Sequence, residues 1–549
     1  MSKLPRVLVV GGEAPGFSGA EAIAAALEAV GMKVTRAAES GAIKRLDGGG
    51  FDCAVLCPTS QVGENDVLSL EDFVRAGGGL VAAGAPGSTR GRSTLLDALL
   101  GCHVVEHSPP TTFKVGASDP NHPIAHRIPE FAIHDEMSVI DRGPDLQVFL
   151  GAWWRGRLQP VAGARAEGKG RVVCLANGRT PAAVAHPSWR QVLARSVRWA
   201  AGEDWSKKAP RTALIGYGAS FNTGRLHADA LERARMPVVA VVEHDPKRLA
   251  AARAELGDGV RMFTDNAKLL ADCDAELIVV VTPHRTHAAI AEQCLAAKRN
   301  VVVEKPFTVS IDEATRVLEH ARRVGRVATA FHNRRWDGDF LAIKKIVDSG
   351  RIGEVFAVEC FFGGYAEPRA DWWRSDREVS GGALFDWGSH FCDWILQLVR
   401  KPVESVSGSF HKRVWHQVTN EDHSQAIIRF VGGATASIEQ SWIAAIGKPR
   451  FRVLGTLGAI EQRTADPLEG IRVVEYGTGV RVESTVPCAT GDWDGFYRNL
   501  ADHLVLGEPL AVTPEQARDV VAVLQLAEDS AKRGGAPLAL PYAAATAAR

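Results

Sequence analysis

The sequence predicts an α/β protein in which two regions of alternating strands and helices precede an α+β region made mainly of strands. From residue 6 to about residue 330, short aliphatic runs alternate with helix-like apolar periodicity, which is typical of doubly wound parallel sheets. After residue 331, several successive segments alternate apolar and polar residues, as the half-buried strands of a large, mainly antiparallel sheet do. At 549 residues the chain is too long for a single hydrophobic core. We therefore expect three domains, at residues 1–203, 209–330 and 331–549.

Charge and cysteine content exclude several classes of partner. The chain has 64 Lys and Arg residues and 64 Asp and Glu residues, so we expect neither nucleic acid nor an anionic membrane as a partner. No apolar stretch has the length that a transmembrane helix needs. The nine cysteines show neither CxxC nor Cys/His spacing, so we expect reduced thiols, no metal site and a cytoplasmic location.

The first region begins with a strand, a glycine turn and an apolar-periodic helix between residues 6 and 30. Further strand-like runs follow at residues 33–38, 52–57, 79–83 and 171–175. Three motifs in this region, DPNHPI (119–124), IHDE (133–136) and GKGRV (168–172), resemble the ThuA-like family, a branch of the class I glutamine-amidotransferase-like fold. The resemblance implies a flavodoxin-like or amidotransferase-like doubly wound domain.

An amidotransferase would carry its nucleophile on a sharp turn after the strand at 79–83. The chain continues there as GAPG (84–87), without a cysteine, and Ser88 has no elbow pattern around it. We therefore expect no glutamine hydrolysis. Three other polar residues either line a site or serve as capping and turn residues, two alternatives that the sequence leaves open: His122, Glu136 and His186.

A polar segment that ends in proline, EDWSKKAP (203–210), has the composition of a short linker. The strand after it enters the loop GYGASFNTG. A GxGxxG dinucleotide fingerprint uses its glycines for a tight turn and for close approach of a pyrophosphate to a helix N-terminus. Gly216 and Gly218 fit this fingerprint, whereas Phe221 occupies the third glycine position. This departure indicates a longer phosphate loop that uses Ala219, Ser220 and Asn222.

An acidic residue ends the second strand of this region. Glu243 follows the apolar run at 237–242, where a carboxylate accepts hydrogen bonds from the ribose hydroxyls of NAD. Lys247 and Arg248 follow closely and leave room for the 2′-phosphate of NADP. The sequence therefore favours NAD and keeps NADP possible.

A lysine lies at the end of a later strand. The β-branched run at 300–303 is followed by Glu304, Lys305 and Pro306, and the proline cannot continue a strand because it has no N–H to donate. In an open parallel sheet, ligands bind at the carboxyl ends of the strands. A solvated strand-to-loop junction is the alternative, but a Glu-Lys pair at the end of a buried strand favours a ligand site.

The third region holds candidate substrate residues. Asn333 and Arg335, in the segment FHNRRWDGDF (331–340), can donate hydrogen bonds to hydroxyls, carboxylates or an amide. Trp373 and Arg374 offer a flat apolar face beside a cation, which suits a sugar ring, although core packing is an equal alternative for the tryptophan.

The segment GGALFDWGSH (381–390) holds the strongest candidate for acid–base chemistry. If it is helical, Asp386 and His390 lie one turn apart on the same face. A carboxylate near an imidazole orients the ring and stabilises its charged form. An isolated histidine is more often structural, but its occurrence with Lys305 favours a functional role.

Four motifs in this order are similar to those of the Gfo/Idh/MocA oxidoreductases: the Gly-x-Gly loop, TPxxxH (282–287), EKP (304–306) and GGxxxDxxxH (381–390). The resemblance covers about residue 211 to the C-terminus. It implies a Rossmann NAD(P)-binding domain, then a substrate and oligomerisation domain with a large sheet, in a homo-oligomer that is a dimer or a tetramer. It also implies a dehydrogenase that acts on a CH–OH group of a sugar, a sugar derivative or a polyol.

The resemblance implies a role for each matching residue. The catalytic residues would be Lys305, Asp386 and His390, and the substrate-binding residues Asn333, Trp373 and Arg374. The cofactor contacts would come from Gly216, Tyr217, Gly218, Phe221, Asn222, Glu243, Thr282, Pro283, His287, Glu304, Lys305 and Arg335.

In the expected reaction His390 removes the hydroxyl proton, Lys305 stabilises the developing alkoxide and Asp386 orients both residues. Two alternatives stay open. One is a glycoside-cleaving enzyme that retains its NAD, which would release sugar without added cofactor and without net NADH. The other is a non-catalytic regulator that senses a sugar or a nucleotide, against which the three catalytic candidates argue.

Overall fold

The computed structural model describes residues 4–12, 16, 19–38, 40–60, 62–84, 93–205, 208–218, 222–476 and 479–542. The described residues fall into two compact units, Met1–Lys208 and Ala209–Arg549. No helix in this part of the chain combines the length and the apolar character that a membrane crossing needs.

The N-terminal unit is a mixed sheet covered by helices. Its strands are β1 (Arg6–Val10), β2 (Lys33–Ala37), β3 (Cys53–Leu56), β4 (Gly79–Ala83), β5 (Cys102–His107), β6 (Thr111–Ala117), β7 (Phe131–Asp135), β8 (Ser138–Arg142), β9 (Gln147–Trp154), β10 (Arg157–Glu167) and β11 (Gly170–Leu175). Its helices are α1 (Ala20–Glu28), α2 (Glu64–Arg75), α3 (Thr94–Leu100), α4 (Pro181–Ala185) and α5 (Pro187–Ala200), with a 3-10 helix at Ser40–Gly48.

The order of the main sheet is β2-β1-β3-β4-β11-β10-β9-β6-β7, and β5 pairs with β8 in a separate ribbon. The first five strands of this order are parallel and the next four are antiparallel. Alternate residues of β1 belong to opposite cores: Val7 and Val9 pack on one face, and Leu8 and Val10 on the other. Helices cover both faces of the parallel part, as predicted for a doubly wound domain.

The C-terminal unit begins with a parallel sheet. Its strands are β12 (Thr212–Ile215), β13 (Val238–Val242), β14 (Arg261–Phe263), β15 (Leu277–Val280), β16 (Asn300–Val303) and β17 (Ala328–Ala330). Its helices are α6 (Thr223–Arg233), α7 (Pro246–Leu256), α8 (Asn266–Asp272), α9 (His287–Ala296) and α10 (Ile311–Val324). The order β14-β13-β12-β15-β16-β17 is that of a Rossmann fold, in which the direction of strand succession reverses between β12 and β15.

The rest of this unit is a second, larger sheet with its helices. The strands are β18 (Val355–Gly363), β19 (Val403–His411), β20 (His423–Phe430), β21 (Thr435–Ser441), β22 (Phe451–Gly455), β23 (Gly458–Gln462), β24 (Ile471–Glu475) and β25 (Val482–Val486). The helices are α11 (Gly338–Asp348), α12 (Arg377–Ser380), α13 (Leu384–Val399), α14 (Asp494–Leu506) and α15 (Pro514–Lys532).

The order of this sheet is β19-β20-β21-β18-β22-β23-β24-β25, and its neighbours are antiparallel except for β18 and β21. The predicted fold class, with its large and mainly antiparallel sheet, is confirmed. Helix α13 packs on one face of this sheet. Helix α14 instead joins the core of the Rossmann sheet, where Phe496, Tyr497 and Leu500 pack with residues of β12 and β13.

Candidate active site

A cavity of about 380 Å³ lies at the carboxyl edge of the Rossmann sheet. It is lined by the residues that follow four of the parallel strands: Gly216 and Gly218 after β12, Glu243 after β13, Val281 and Thr282 after β15, and Glu304 and Lys305 after β16. Parallel strands end at the same edge of a sheet, so these distant segments meet where a doubly wound sheet binds its ligand.

The glycine loop has the close packing that a dinucleotide site requires. Gly216 has φ +87°, and a Cβ there would collide with the main-chain carbonyl of Val281. A Cβ at Gly224 would collide with the carbonyl of Tyr217, so Gly224 provides the close helix–strand packing of the third fingerprint glycine. Thr223, the first residue of α6, lines the cavity and places a helix N-terminus there. These features fit a bound pyrophosphate.

Glu243 lines the cavity together with the glycine loop. Its carboxylate accepts hydrogen bonds from the backbone N–H of Tyr217 at 2.9 Å and from that of Asp245 at 3.0 Å. His244 and Arg248 line the same cavity as Glu243. An acidic residue and an arginine therefore both lie at the region expected to hold the ribose.

Lys305 forms an ion pair with Asp386, the third residue of α13. Its ammonium group also lies 3.3 Å from the main-chain oxygen of Asp386, and Arg374 Nε lies 3.8 Å from the Asp386 carboxylate. Burial alone would raise the pKa of Asp386, but the charges of Lys305 and Arg374 outweigh it and hold the pKa at about 2. The pair is therefore ionised at neutral pH.

His390 lies one helical turn after Asp386 and is 5% exposed. Burial, followed by the charge of Lys305, lowers the pKa of His390 well below its ordinary value, so the imidazole is neutral. Its Nδ1 has no hydrogen-bond partner among the described residues. The ring is packed edge-on against Trp387, at 5.8 Å between centroids, and is not part of the lining of the cavity.

Three family models match successive parts of the chain. Residues 6–200 match ThuA, described as trehalose utilisation, and residues 210–332 match an oxidoreductase family with an NAD-binding Rossmann fold. Residues 340–461 match the GFO/IDH/MocA C-terminal domain. The chain is a Gfo/Idh/MocA oxidoreductase with an N-terminal ThuA domain.

Curated and solved relatives agree with this assignment. The uncharacterised oxidoreductase YdgJ of Escherichia coli is 29% identical over 59% of this chain and 96% of its own length. The scyllo-inositol 2-dehydrogenase (NADP(+)) IolW of Bacillus subtilis is 27% identical over 59% of this chain and 94% of its own. The solved NAD-binding protein of Listeria innocua, 27% identical, matches with a TM-score of 0.54 over 60% of this chain and 97% of its own.

Several predicted site residues of this oxidoreductase line the cavity. They are Gly216, Gly218, Glu243, Thr282, Pro283, Glu304, Lys305, Trp373 and Arg374. Trp373, a predicted substrate residue, lines the same cavity as Lys305, with the guanidinium of Arg374 4.7 Å from its ring centroid. Phe221, together with Ala219 and Ser220, lies outside the described residues. Asn222 precedes α6 with φ +49° and is exposed.

Two predicted cofactor ligands have other partners. Both ring nitrogens of His287 lie 2.8 Å from backbone carbonyls, those of Pro306 and Thr282, and the side chain is fully buried. The guanidinium of Arg335 donates to the carboxylate of Asp393 at 2.8 and 2.5 Å and also to the carbonyl of Ala511. These groups brace the loops around the site and are not part of the lining of the cavity. Asn333, the predicted substrate ligand, is 8% exposed in the 3-10 turn Asn333–Trp336.

The sequence prediction missed three histidines of this region. His284 lines the cavity and its Nδ1 lies 2.7 Å from the carbonyl of Ser380. His332 follows β17 and is 1% exposed, and neither of its ring nitrogens has a hydrogen-bond partner among the described residues. His227 contacts Glu304 from α6. The segment FHNRRW that follows β17 holds His332 beside the predicted residues Asn333 and Arg335, and this position was the signal for it.

The three candidate residues of the ThuA domain have separate environments. His122 is stacked on Phe149, with 4.5 Å between ring centroids, and burial lowers its pKa to about 4. His186 is stacked on Phe131, and Glu136 forms a 2.7 Å ion pair with Arg179. The aromatic stacking favours a packing role for both histidines. The turn at 84–87, where an amidotransferase would carry its nucleophile and where we expect none, lies outside the described residues from Ala85 onwards, as does Ser88.

Among the described residues, no group of three His, Cys, Asp or Glu side chains is placed to hold a metal ion.

Proposed function

We propose that the C-terminal unit transfers a hydride between a nicotinamide cofactor and a hydroxyl-bearing carbon of a sugar, a sugar derivative or a polyol. The observation that carries this proposal is the ionised Lys305–Asp386 pair at the edge of the cofactor cavity, with the neutral His390 one helical turn further along α13. A cation stabilises the alkoxide that develops from a substrate hydroxyl, and a neutral imidazole accepts the proton that this hydroxyl loses.

In the proposed reaction the neutral His390 accepts the proton of the substrate hydroxyl at a ring nitrogen. The ammonium group of Lys305 stabilises the negative charge that develops on the hydroxyl oxygen. The carboxylate of Asp386 holds that ammonium group in place, and the charges of Lys305 and Arg374 keep Asp386 ionised. When bound, the nicotinamide ring supplies the hydride acceptor.

The residues around the cavity fit NAD(P). Gly216, Gly218 and the N-terminus of α6 would hold the pyrophosphate, and Glu243 would accept from the adenosine ribose. Glu243 disfavours a 2′-phosphate by charge repulsion, whereas Arg248 favours one. Because Glu243 is fixed by two backbone hydrogen bonds, we propose a preference for NAD.

The names of several relatives support a cyclic polyol or a sugar as substrate. Besides IolW, the myo-inositol 2-dehydrogenase of Thermotoga maritima is 26% identical over 46% of this chain. The 1,5-anhydro-D-fructose reductase of Ensifer adhaerens is 27% identical over 41% of this chain. All three names describe ring compounds with several hydroxyl groups. The chain would act on the same chemical class.

A cofactor-coupled screen tests the proposal. Inositols, hexoses, their lactones and deoxy or anhydro derivatives would be offered with NAD or NADP, or as ketones with NADH or NADPH, while absorbance of the reduced cofactor is followed. We expect turnover with at least one cyclic polyol or sugar, and its loss in Lys305→Met and His390→Ala. The release of sugar without net NADH would instead support the glycoside-cleaving alternative. NADH binding without turnover of any compound would contradict the dehydrogenase proposal.

We also propose that this chain forms a homo-oligomer through the open face of the large sheet. Charges of opposite sign alternate across neighbouring strands there, with Arg452 3.0 Å from Glu359 and Arg472 3.6 Å from Glu461. A face of mixed charge is self-complementary when two copies meet about a two-fold axis. Light scattering coupled to gel filtration measures the oligomeric state, and a monomer at micromolar concentration would contradict this proposal.

A further inference from the structure

A chain of buried hydrogen bonds leads from α14 to the cofactor cavity. The hydroxyl of Tyr497 lies 2.6 Å from Nδ1 of His227 in α6, and Nε2 of His227 lies 3.0 Å from Oε1 of Glu304. The other carboxylate oxygen of Glu304 accepts the backbone N–H of Lys305 at 2.9 Å. Three segments that are distant in the sequence therefore meet at the end of β16.

The protonation state of Glu304 determines the direction of its hydrogen bond with His227. Burial alone would raise the pKa of Glu304, but the hydrogen bond and charge of His227, together with Lys305, outweigh it and hold the pKa at about 2. An ionised carboxylate only accepts hydrogen bonds, so Nε2 of His227 carries a proton. The hydroxyl of Tyr497, which can both donate and accept, pairs with the other ring nitrogen, Nδ1.

Packing holds this chain of residues in one arrangement. Tyr497 is fully buried and His227 is 1% exposed. The ring of His227 lies 4.4 Å from that of Phe331 and 5.9 Å from that of Tyr497, between centroids. Of the three linked side chains, Glu304 lines the cavity. The other two act on the cavity only through that carboxylate.

Glu304 keeps the capacity to bind a ligand. Its two oxygens offer about four lone-pair sites, of which His227 and Lys305 occupy two. The nicotinamide half of the cofactor carries donors that match the remaining sites, namely its carboxamide N–H₂ and the hydroxyls of its ribose. A carboxylate that is already oriented loses little conformational freedom when such a donor binds.

We propose that His227 and Tyr497 are positioning residues for cofactor binding, because they hold the Glu304 carboxylate in place to accept a hydrogen bond from the nicotinamide half of NAD(H). The inference rests on the cofactor cavity of the proposed function and does not depend on the identity of the substrate. A bracing role, in which the network only joins α14 to the sheet, is the alternative.

Two substitutions of His227 distinguish these roles, because they keep different halves of the imidazole. His227→Gln places an amide N–H near the position of Nε2 and keeps the donor to Glu304, whereas His227→Asn keeps a polar group near Nδ1 and loses that donor. A bracing role predicts that both variants bind the cofactor alike. The positioning role predicts that glutamine restores cofactor binding and asparagine does not.

The experiment is a fluorescence titration of the full-length protein with NADH, with the thermal unfolding midpoint measured for every variant. His503 lies in α14, as Tyr497 does, and its Nδ1 lies 2.6 Å from the carbonyl of Glu508, away from the cavity lining. His503→Gln is therefore the matched control for His227→Gln. We expect the Kd for NADH to rise at least tenfold in His227→Asn and Glu304→Gln, and about threefold in Tyr497→Phe. His227→Gln should stay within threefold of the wild type, and the control should be unchanged.

Equal Kd values for His227→Gln and His227→Asn, or wild-type binding by Glu304→Gln, would overturn the proposal. If His227→Asn failed to fold, the Glu304→Gln titration would still decide the question. A wild-type protein that binds NADH but oxidises no polyol would contradict the proposed reaction and leave this test fully interpretable. The absence of NADH binding by the wild type would overturn the positioning proposal directly.

Discussion

The ion pair between Lys305 and Asp386 provides the sharpest test of the site, through a double-mutant cycle with Lys305→Met and Asp386→Asn. Their side chains are 11% and 28% exposed, so each substitution leaves a largely buried charge without its main partner. Breaking a fully buried pair costs about 3–5 kcal/mol of unfolding free energy. Because Asp386 keeps part of its solvent contact and Arg374 remains 3.8 Å away, we expect about 1–3 kcal/mol for each single variant.

The double variant removes both charges and leaves neither unpaired. Its destabilisation should therefore be smaller than the sum of the two single effects, with a coupling free energy of about 1–2 kcal/mol. Turnover should not show this compensation in the double variant. Lys305→Met removes the group that stabilises the alkoxide, so we expect turnover to fall ~100-fold or more in both the single and the double variant.

Urea unfolding of the C-terminal unit, followed by tryptophan fluorescence, measures the coupling, and the cofactor-coupled assay measures turnover. Each variant would also be titrated with NADH, so that a loss of turnover is separated from a loss of cofactor. Strictly additive unfolding free energies would show that the pair is not coupled in solution. Near-native turnover by Lys305→Met, with cofactor bound, would refute the role of the ammonium group.

Four further outcomes are expected. His390→Ala should lower turnover ~100-fold or more with an unchanged unfolding midpoint, and near-native turnover would remove the proposed base. The wild type should prefer NAD over NADP and Glu243→Ala should narrow that gap, whereas equal use of both cofactors by the wild type would contradict the role of Glu243. Burial lowers the pKa of His284 to about 3 and that of His332 to about 4, below the ordinary value near 6.5, so the unfolded chain binds their protons first. The contribution of these two histidines to the free energy of unfolding should be fully present above pH ~6.5 and should be lost towards pH ~4, with a loss of about 2 kcal/mol per histidine at pH 5. A thermal midpoint that does not change between pH 7 and pH 5 would contradict this. A protein truncated to residues 208–549 should still bind NADH and turn over substrate, and a soluble, NADH-bound but inactive truncation would assign part of the reaction to the ThuA domain.

The strand ends of the site could be predicted because their signals are local. The apolar run before Glu304 and the proline after Lys305 together define where β16 stops. Parallel pairing then brings this end beside that of β15, which in turn pairs with β12, as the structure shows. The packing role of Gly224 could not be predicted from the fingerprint. The fingerprint expects its third glycine three residues after Gly218, whereas the next glycine of this chain lies six residues after Gly218.

The partners of buried polar groups could not be predicted, because they depend on packing between distant segments. Arg335 was expected to reach the cofactor, but its guanidinium donates to Asp393, 58 residues away, and to the carbonyl of Ala511. His287 has the motif position of a ligand, yet both of its nitrogens face carbonyls of the loops that it joins. A histidine or an arginine in a motif is therefore a weak indication of ligand contact until its other partners are known.

The two last helices show the same limit at the level of the fold. Local periodicity identifies a helix over the region of α15, but no local signal says which sheet it covers. In the structure Ala517 and Val521 pack in the core of the Rossmann sheet, whereas Val520 and Leu524 pack in that of the large sheet. Tyr497 of α14 reaches His227 across 270 residues. Residues on both sides of residue 330 therefore support Glu304, and under the proposed role of Glu304 a substitution in α14 would change cofactor binding without touching the glycine loop.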